Sequence, residues 1–236
     1  ASPPRLLGAV MEKFMTQEKK LYVSTRNPHK LEELRAILSA IGPFELMSAA
    51  EAGVPEVEET GESFLDNAVL KAAAAFRLTS GMSLADDSGL VVDALDGAPG
   101  IYSARFAGEN ADSKANNAHL LERMRGVEPA NRGAAFVCQL ALIVPESLVR
   151  PGLDLALQEH RWVPEGGVLF AIQGRVDGRI LEERCGSGGF GYDPLFHYEP
   201  AGLTLAEMDA DFKNTISHRG RALAQLASCL TQLIEV

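Results

Sequence analysis

Residues Ser83–Gly108 read SLADDSGLVVDALDGAPGIYSARFAG. Met82–Ala85 is the end of an apolar strand, and two carboxylates, Asp86 and Asp87, follow it directly. Ser88-Gly89 is a turn signal, Leu90–Leu95 resumes the apolar run, and Asp96-Gly97-Ala98-Pro99-Gly100 is a second turn. Adjacent acids at the mouth of a buried strand are costly unless a positive group faces them. A divalent cation such as Mg²⁺, which takes carboxylate oxygens and bridges to phosphates, is one such group. The plainer alternative is an Asx-type turn that caps the next element.

Working outward on the N-terminal side, Lys20–Thr25 reads as a strand and Lys30–Ala40 as an amphipathic helix with Leu31, Leu34, Ile37 and Leu38 on one face. Arg26-Asn27-Pro28-His29 joins them, with Asn27 suited to cap the helix and Pro28 to its first position. A lysine, Lys30, in the first turn opposes the helix dipole, and a bound phosphate would account for it. An ordinary strand-to-helix connection with surface cations is the other reading. The phosphate loop with G-x-x-x-x-G-K-[ST] spacing is absent. Gly42–Met47 is a second strand, and an acidic loop with Glu56, Glu58 and Glu59 leads into a helix over Phe64–Thr79. Phe64, Ala68, Lys71 and Ala75 share one side of it, so Lys71 either reaches a charged site or snorkels to water.

On the C-terminal side the expected elements are a helix over Asp112–Gly126, paired strands Ala134–Val144 and Val168–Asp177, and a short strand Arg179–Arg184. The run Gly186-Ser187-Gly188-Gly189-Phe190-Gly191-Tyr192-Asp193-Pro194 follows. Its glycines point to close backbone approach or positive φ, and its aromatics offer a base-stacking face, unless it is a plain glycine-rich loop. Leu195–His197 is a further strand, and Ser217 caps a final helix, His218–Leu233, with His218 and Arg219 in its first turn.

Composition narrows the partners. The 236 residues carry a formal charge of −10, which disfavours long nucleic acid and obliges a phosphate-handling protein to concentrate its cations locally. Cys138, Cys185 and Cys229 are far apart and in no metal-ligand spacing, as reduced thiols would be. Leu6–Val10 is too short for a signal-peptide core, and no run reaches membrane-spanning length. The expectation is a soluble, cytoplasmic protein without membrane or nucleic-acid partners. Its organisation is expected to be a flexible N-terminal extension over 1–20 and a single domain over 21–236, carrying an insertion at 145–167.

From Leu21 to Leu233 the chain resembles the house-cleaning inosine triphosphate pyrophosphatases, the Ham1-like family. The resemblance rests on motifs in a fixed order: Ser24–Lys30, Glu58–Gly61, Asp66–Ala72, Ala85–Leu90, Gly97–Arg105, Gly188–Pro194 and Ile216–Leu223. It implies an α/β fold with an elongated, long, mixed, curved sheet flanked by helices, two lobes and a central cleft. It implies a homodimer, and Mg²⁺-dependent hydrolysis of the non-standard purine nucleotides ITP, dITP and XTP to monophosphate and pyrophosphate. By position it assigns Thr25, Asn27 and Lys30 to the triphosphate, with Lys71 and Lys213 adding positive charge near it, and Arg26, Pro28 and His29 of the same segment are expected among the substrate-binding residues. Lys30, Lys71 and Asp87 are the catalytic group, with Asp87 the base for water and Glu59 and Asp87 handling the metal. Ser88, Phe190, Gly191, Tyr192, Asp193, His218 and Arg219 complete the nucleotide site.

Arg26 stands where many relatives have glycine, and His29 where a small residue is common. Two rivals remain on sequence. A fold-related Maf-type pyrophosphatase is opposed by the Phe190–Asp193 and Ser217–Arg219 motifs. A non-catalytic nucleotide sensor is opposed by Glu59, Asp87 and Lys30, since binding alone needs no metal carboxylates.

Overall fold

The computed structural model describes residues 20–25, 31, 32, 34, 35, 44–149 and 161–234. The 1–20 extension up to residue 19, the Arg26–Lys30 loop and residues 150–160 of the expected insertion lie outside them. Among the described residues, seven strands form one sheet in the order β2-β1-β3-β4-β5-β6-β7. They are β1 (Lys20–Ser24), β2 (Glu45–Ser48), β3 (Met82–Val92), β4 (Gly133–Pro145), β5 (Gly167–Ile180), β6 (Phe196–Tyr198) and β7 (Leu203–Thr204). β1 runs parallel to β2 and β3, and every later pairing is antiparallel. The helices are α1 (Phe64–Thr79), α2 (Ser113–Arg123), α3 (Ala210–Ile216) and α4 (His218–Ile234). Leu31, Glu32, Leu34 and Arg35 are helical too, and Leu31 and Leu34 pack on the core as the expected stripe requires. This is the mixed, helix-flanked α/β sheet that the resemblance implies.

The long strands alternate strictly, and the alternation builds two apolar faces. Leu84, Leu140, Leu142 and Phe170 pack beneath α4 through Ala222, Leu223, Leu226 and Leu230. Ala85, Ala141, Ile143 and Leu169 pack on the other face against Ala68, Val69, Ala72, Ala73 and Phe76 of α1. Each buried leucine contributes about 1.5–3 kcal/mol relative to exposure, so burial on both faces secures the register of β3 and β4. Small residues on α1 let that helix lie close to the strands. Ser63 caps it by accepting the Asp66 N–H at 3.1 Å.

A second core occupies the far end of the same strands, where Leu90, Val92, Phe136, Val176 and Ile180 meet Leu120 and Met124 of α2 and Leu195 and Phe196. Arg132, buried, ties this end together. Its guanidinium donates to the carbonyls of Ile180 (2.7 Å), Leu181 (2.9 Å), Met124 (3.1 Å) and Val127 (3.4 Å).

Two sequence expectations need correction. Ser88-Gly89 is no turn, because β3 continues unbroken through it to Val92. The glycine answers a different need: a Cβ on Gly89 would sit 2.4 Å from Ser103 Oγ and 2.6 Å from the Gly100 carbonyl. The 3₁₀ segment Gly100–Arg105 thus lies directly against the strand. Arg179–Arg184 is not a separate strand, since β5 runs on to Ile180 and stops there. Arg132 takes the carbonyls of Ile180 and Leu181, which a continuing strand would need for a neighbour. Helix α3 is capped by Asp209, which accepts the Phe212 N–H at 2.7 Å.

Candidate active site

β1 stops short, and that opens the site. Its pairing with β3 ends at Ser24↔Ala85, whereas β4 pairs with β3 all the way to Val92. Asp86, Asp87 and Ser88 therefore stand where the sheet loses a strand, at the carboxyl end of a parallel pair, a preferred place for ligand crevices. A cleft of about 660 Å³ lies here. Thr25, Glu59, Lys71, Asp87, Ser88, Phe190, Gly191, Tyr192, Asp193, Lys213, His218 and Arg219 all line it. The structure thus brings together every described residue that the sequence singled out. Arg26, Asn27, Pro28, His29 and Lys30 lie outside the described residues.

Because β3 continues as a strand, Asp86 and Asp87 do not form one acidic cluster. They point to opposite faces. Asp87 follows Ala85 onto the α1 side. There Lys71 Nζ lies 2.8 Å from Glu59 Oε1 and 3.4 Å from Asp87 Oδ1, and Asn67 Nδ2 donates to Asp87 Oδ2 at 3.3 Å. Asn67 also accepts the Gly61 N–H at 2.8 Å, which ties the loop carrying Glu59 to the helix carrying Lys71. Burial works against the charge on Lys71, but the carboxylates of Asp87, Asp86 and Glu59 outweigh it and hold the ammonium above the usual lysine range. Lys71 is thus a reaching lysine, not a snorkelling one.

Asp86 follows Leu84 onto the α4 side. Its Oδ2 accepts from Ser88 Oγ at 3.2 Å and lies 3.8 Å from Arg219 Nε, while Arg219 Nη2 donates to Ser88 Oγ at 3.2 Å. Asp86 and Arg219 are only 2% and 3% exposed, so their opposite charges offset each other away from water. His218 stacks on Phe136 with ring centroids 4.9 Å apart and 13° between planes. Ser217 accepts the Gly220 N–H at 3.1 Å, which fixes the first turn of α4 beneath the cleft.

The glycine-rich loop closes the α4 side. Gly189 and Gly191 have φ of +68° and +59°, the left-handed region that side chains disfavour. Asp193 accepts the Phe190 N–H and the Lys213 ammonium, each at 2.8 Å. Lys213 Nζ and Arg219 Cζ lie 4.7 and 5.8 Å from the Phe190 ring centroid, within cation–π reach. Tyr192 donates its hydroxyl to the Ser103 carbonyl at 2.8 Å, and Asn117 Nδ2 donates to the Gly191 carbonyl at 2.8 Å. Burial pushes the Tyr192 phenol far above its ordinary value, so it stays a donor.

Sequence reasoning missed Asn67, Ser103, Arg105 and Asn117, and set Asp86 beside Asp87 toward one cation where the structure pairs it with Arg219 and Ser88. Asn67 had a signal: it stands four positions before Lys71, on one helical face of an otherwise small-residue helix. Asn117 and Ser103 act through backbone carbonyls 74 and 89 positions away, and nothing local announces that.

Glu59 and Asp87 converge on one cation, here the Lys71 ammonium. Two carboxylates suit a hard divalent ion that completes its shell with water and substrate oxygens. No group of three or more His, Cys, Asp and Glu side chains placed to hold a metal occurs among the described residues.

Comparison with known proteins places this site in context. The model of the Ham1 family matches residues 21–229. The chain is 47% identical over 208 residues to a dITP/XTP pyrophosphatase of Geobacter sulfurreducens, covering 88% of this chain and 94% of the relative. It is 44% identical over 215 residues to one of Desulforamulus reducens, covering 91% and 96%. A solved structure of a HAM1 protein from Coxiella burnetii superposes with a TM-score of 0.77 at 36% identity, covering 90% of this chain and 98% of that one.

Proposed function

The chain belongs to the Ham1 family, and from that premise we propose that it hydrolyses the purine nucleotides dITP, ITP and XTP to the monophosphate and pyrophosphate. One observation carries the reading. A carboxylate pair that converges on a cation and a donor-lined aromatic pocket open into the same cleft, on opposite faces of β3.

The roles follow from that division. Phosphoryl transfer needs positioning and charge neutralisation more than covalent chemistry. Glu59 and Asp87 would hold Mg²⁺, which would supply positive charge against the polyphosphate. Asp87 also orients water and accepts its proton, and Lys71 supplies positive charge beside it. The Thr25–Lys30 loop, with Arg26, Asn27, Pro28 and His29, grips the triphosphate. Phe190 and Tyr192 frame the base, and Arg219 donates to the 6-oxygen of hypoxanthine or xanthine. Adenine presents an amino donor there, so Arg219, which donates only, would be left unpaired. Asp86 and Ser88 hold that guanidinium in place.

A substrate panel with separate detection of pyrophosphate and phosphate tests the reading. ITP, dITP and XTP should release pyrophosphate at least about a hundred-fold more efficiently than ATP, the equivalent of two unpaired donors. Chelation of divalent metal should abolish it. Release of phosphate instead, or equal use of ATP, would overturn the assignment. We further propose a cytoplasmic homodimer, for which light scattering should give about twice the 25.3 kDa chain mass. Among the described residues no helix is long and apolar enough to cross a membrane.

A further inference from the structure

We infer that Arg105, on the rim of the cleft, is a polyphosphate-binding residue that exchanges Glu59 for substrate oxygens. The inference rests on the substrate class proposed above, and it adds a residue to which neither the motif reading nor the resemblance gives a role.

Most of the cations at the cleft are already engaged. Lys71, Arg105, Lys213 and Arg219 are the described lysines and arginines lining the cleft. Lys71 is shared by two carboxylates, Lys213 is hydrogen-bonded to Asp193, and Arg219 donates to Ser88 beside Asp86. The guanidinium of Arg105 makes no hydrogen bond among the described residues. Its nearest carboxylates, Glu59 Oε2 and Glu109 Oε1, are 3.9 and 3.7 Å away, too long for the charge-assisted bonds arginine forms when committed. Side-chain exposure ranks the four in the same order. Arg105 is 28% exposed, against 17% for Lys71, 11% for Lys213 and 4% for Arg219.

The backbone beneath this loosely held side chain is, by contrast, firmly placed. Asn116, buried, donates to the Ala104 carbonyl at 3.0 Å and accepts the Ala107 N–H at 2.8 Å, bracketing Arg105. Ser103 accepts the Leu90 N–H at 2.9 Å and fastens the 3₁₀ segment to β3. The Arg105 guanidinium lies 5.3 Å from the Tyr102 ring centroid, which supports its stem at the rim. A fixed base with an uncommitted fork suits a group that must meet a planar-accepting, mobile anion. Glu59, the carboxylate it faces, already has Lys71 at 2.8 Å and needs Arg105 least. A polyphosphate entering the cleft would offer Arg105 non-bridging oxygens in place of Glu59, which keeps its bond to Lys71.

Calorimetric titration of the full chain with inorganic tripolyphosphate in the presence of chelator isolates this contact, and titration with IMP reports the base pocket. Arg105→Gln should weaken tripolyphosphate about tenfold or more, while IMP affinity stays within about twofold; tenfold corresponds to 1.4 kcal/mol. Arg105→Lys, which keeps charge but loses the fork, should fall between. Unchanged tripolyphosphate affinity in both variants overturns the inference and leaves Arg105 as a neighbour of Glu59. Equal weakening of IMP and tripolyphosphate overturns it as well, since the damage is then to the cleft as a whole. The substrate reading is scored separately: wild-type protein that binds tripolyphosphate yet hydrolyses no dITP refutes that reading, and the Arg105 affinity ratio still stands by itself.

Discussion

Asp86 and Asp87 are adjacent in sequence and work on opposite faces of one strand. On the α1 side, Asp87 shares Lys71 with Glu59 at the cleft, in a site built for a cation and moving charge. On the α4 side, Asp86 is sealed against Arg219 and Ser88, in a site built to hold one donor still. Identical side chains thus acquire different chemistry from what the opposite helix brings. An alanine-rich helix lets Lys71 and Asn67 approach one face, and the first turn of α4 places Arg219 on the other.

The comparison breaks most sharply at Asp87. Asp87→Asn keeps the shape and removes the charge and basicity, so turnover should fall about a hundred-fold or more, the scale of general-base catalysis. Lys71 retains Glu59, so urea unfolding should register a loss of only about 1 kcal/mol. Steady-state pyrophosphate release near the wild-type level would dismiss Asp87 as the base.

The mirror experiment on Asp86 reverses the balance. Asp86→Asn strips the buried Arg219 of its counter-charge while leaving an acceptor, so stability should drop by about 2–3 kcal/mol, somewhat below the cost of deleting a buried partner outright. The ITP-to-ATP ratio should fall about tenfold. Arg219→Ala should shrink the same ratio chiefly by losing ITP activity, and the Asp86→Asn/Arg219→Ala double variant should be no worse than the single ones, because the pair acts as a unit. Additive effects in that cycle, or a loss of metal affinity in Asp86→Asn, would erase the division between the two faces.

The smallest effect sharpens the comparison through pH. The folded pKa of Lys71 is raised, so its charge contributes stability fully below the lysine reference value of about 10.4, and that contribution is lost as pH rises through the raised value. The stability difference between wild type and Lys71→Met should stay level from about pH 7 to 9 and shrink above about pH 10.4. A difference that varies across neutral pH would mean that another group carries it.

Much of this was legible before any coordinates. Long apolar runs announced β4 and β5, and Ser217 announced the start of α4, because apolar runs and capping are local properties. The loop at Gly188–Pro194 announced backbone constraint, and Gly189 and Gly191 have the positive φ expected there. The reading failed at Gly89, where a glycine signifies either a turn or a surface that something touches. Only Ser103, which lies 13 positions beyond Leu90 and accepts its N–H, decides for the second. With a turn assumed, the alternation of Asp86 and Asp87 was lost, and the two acids looked like one cluster.

Residue pattern alone supplied the parts: ordered motifs that carry the family, strands and helices set by local patterning, and twelve of the described residues that line the cleft. What the tertiary structure decided was allegiance. Arg219 meets Ser88 across 131 positions, and Lys71 meets Asp87 across 16. Such partnerships depend on where β1 stops and which helix covers which face. Those outcomes arise from the packing of the whole core, and no local pattern of residues encodes them.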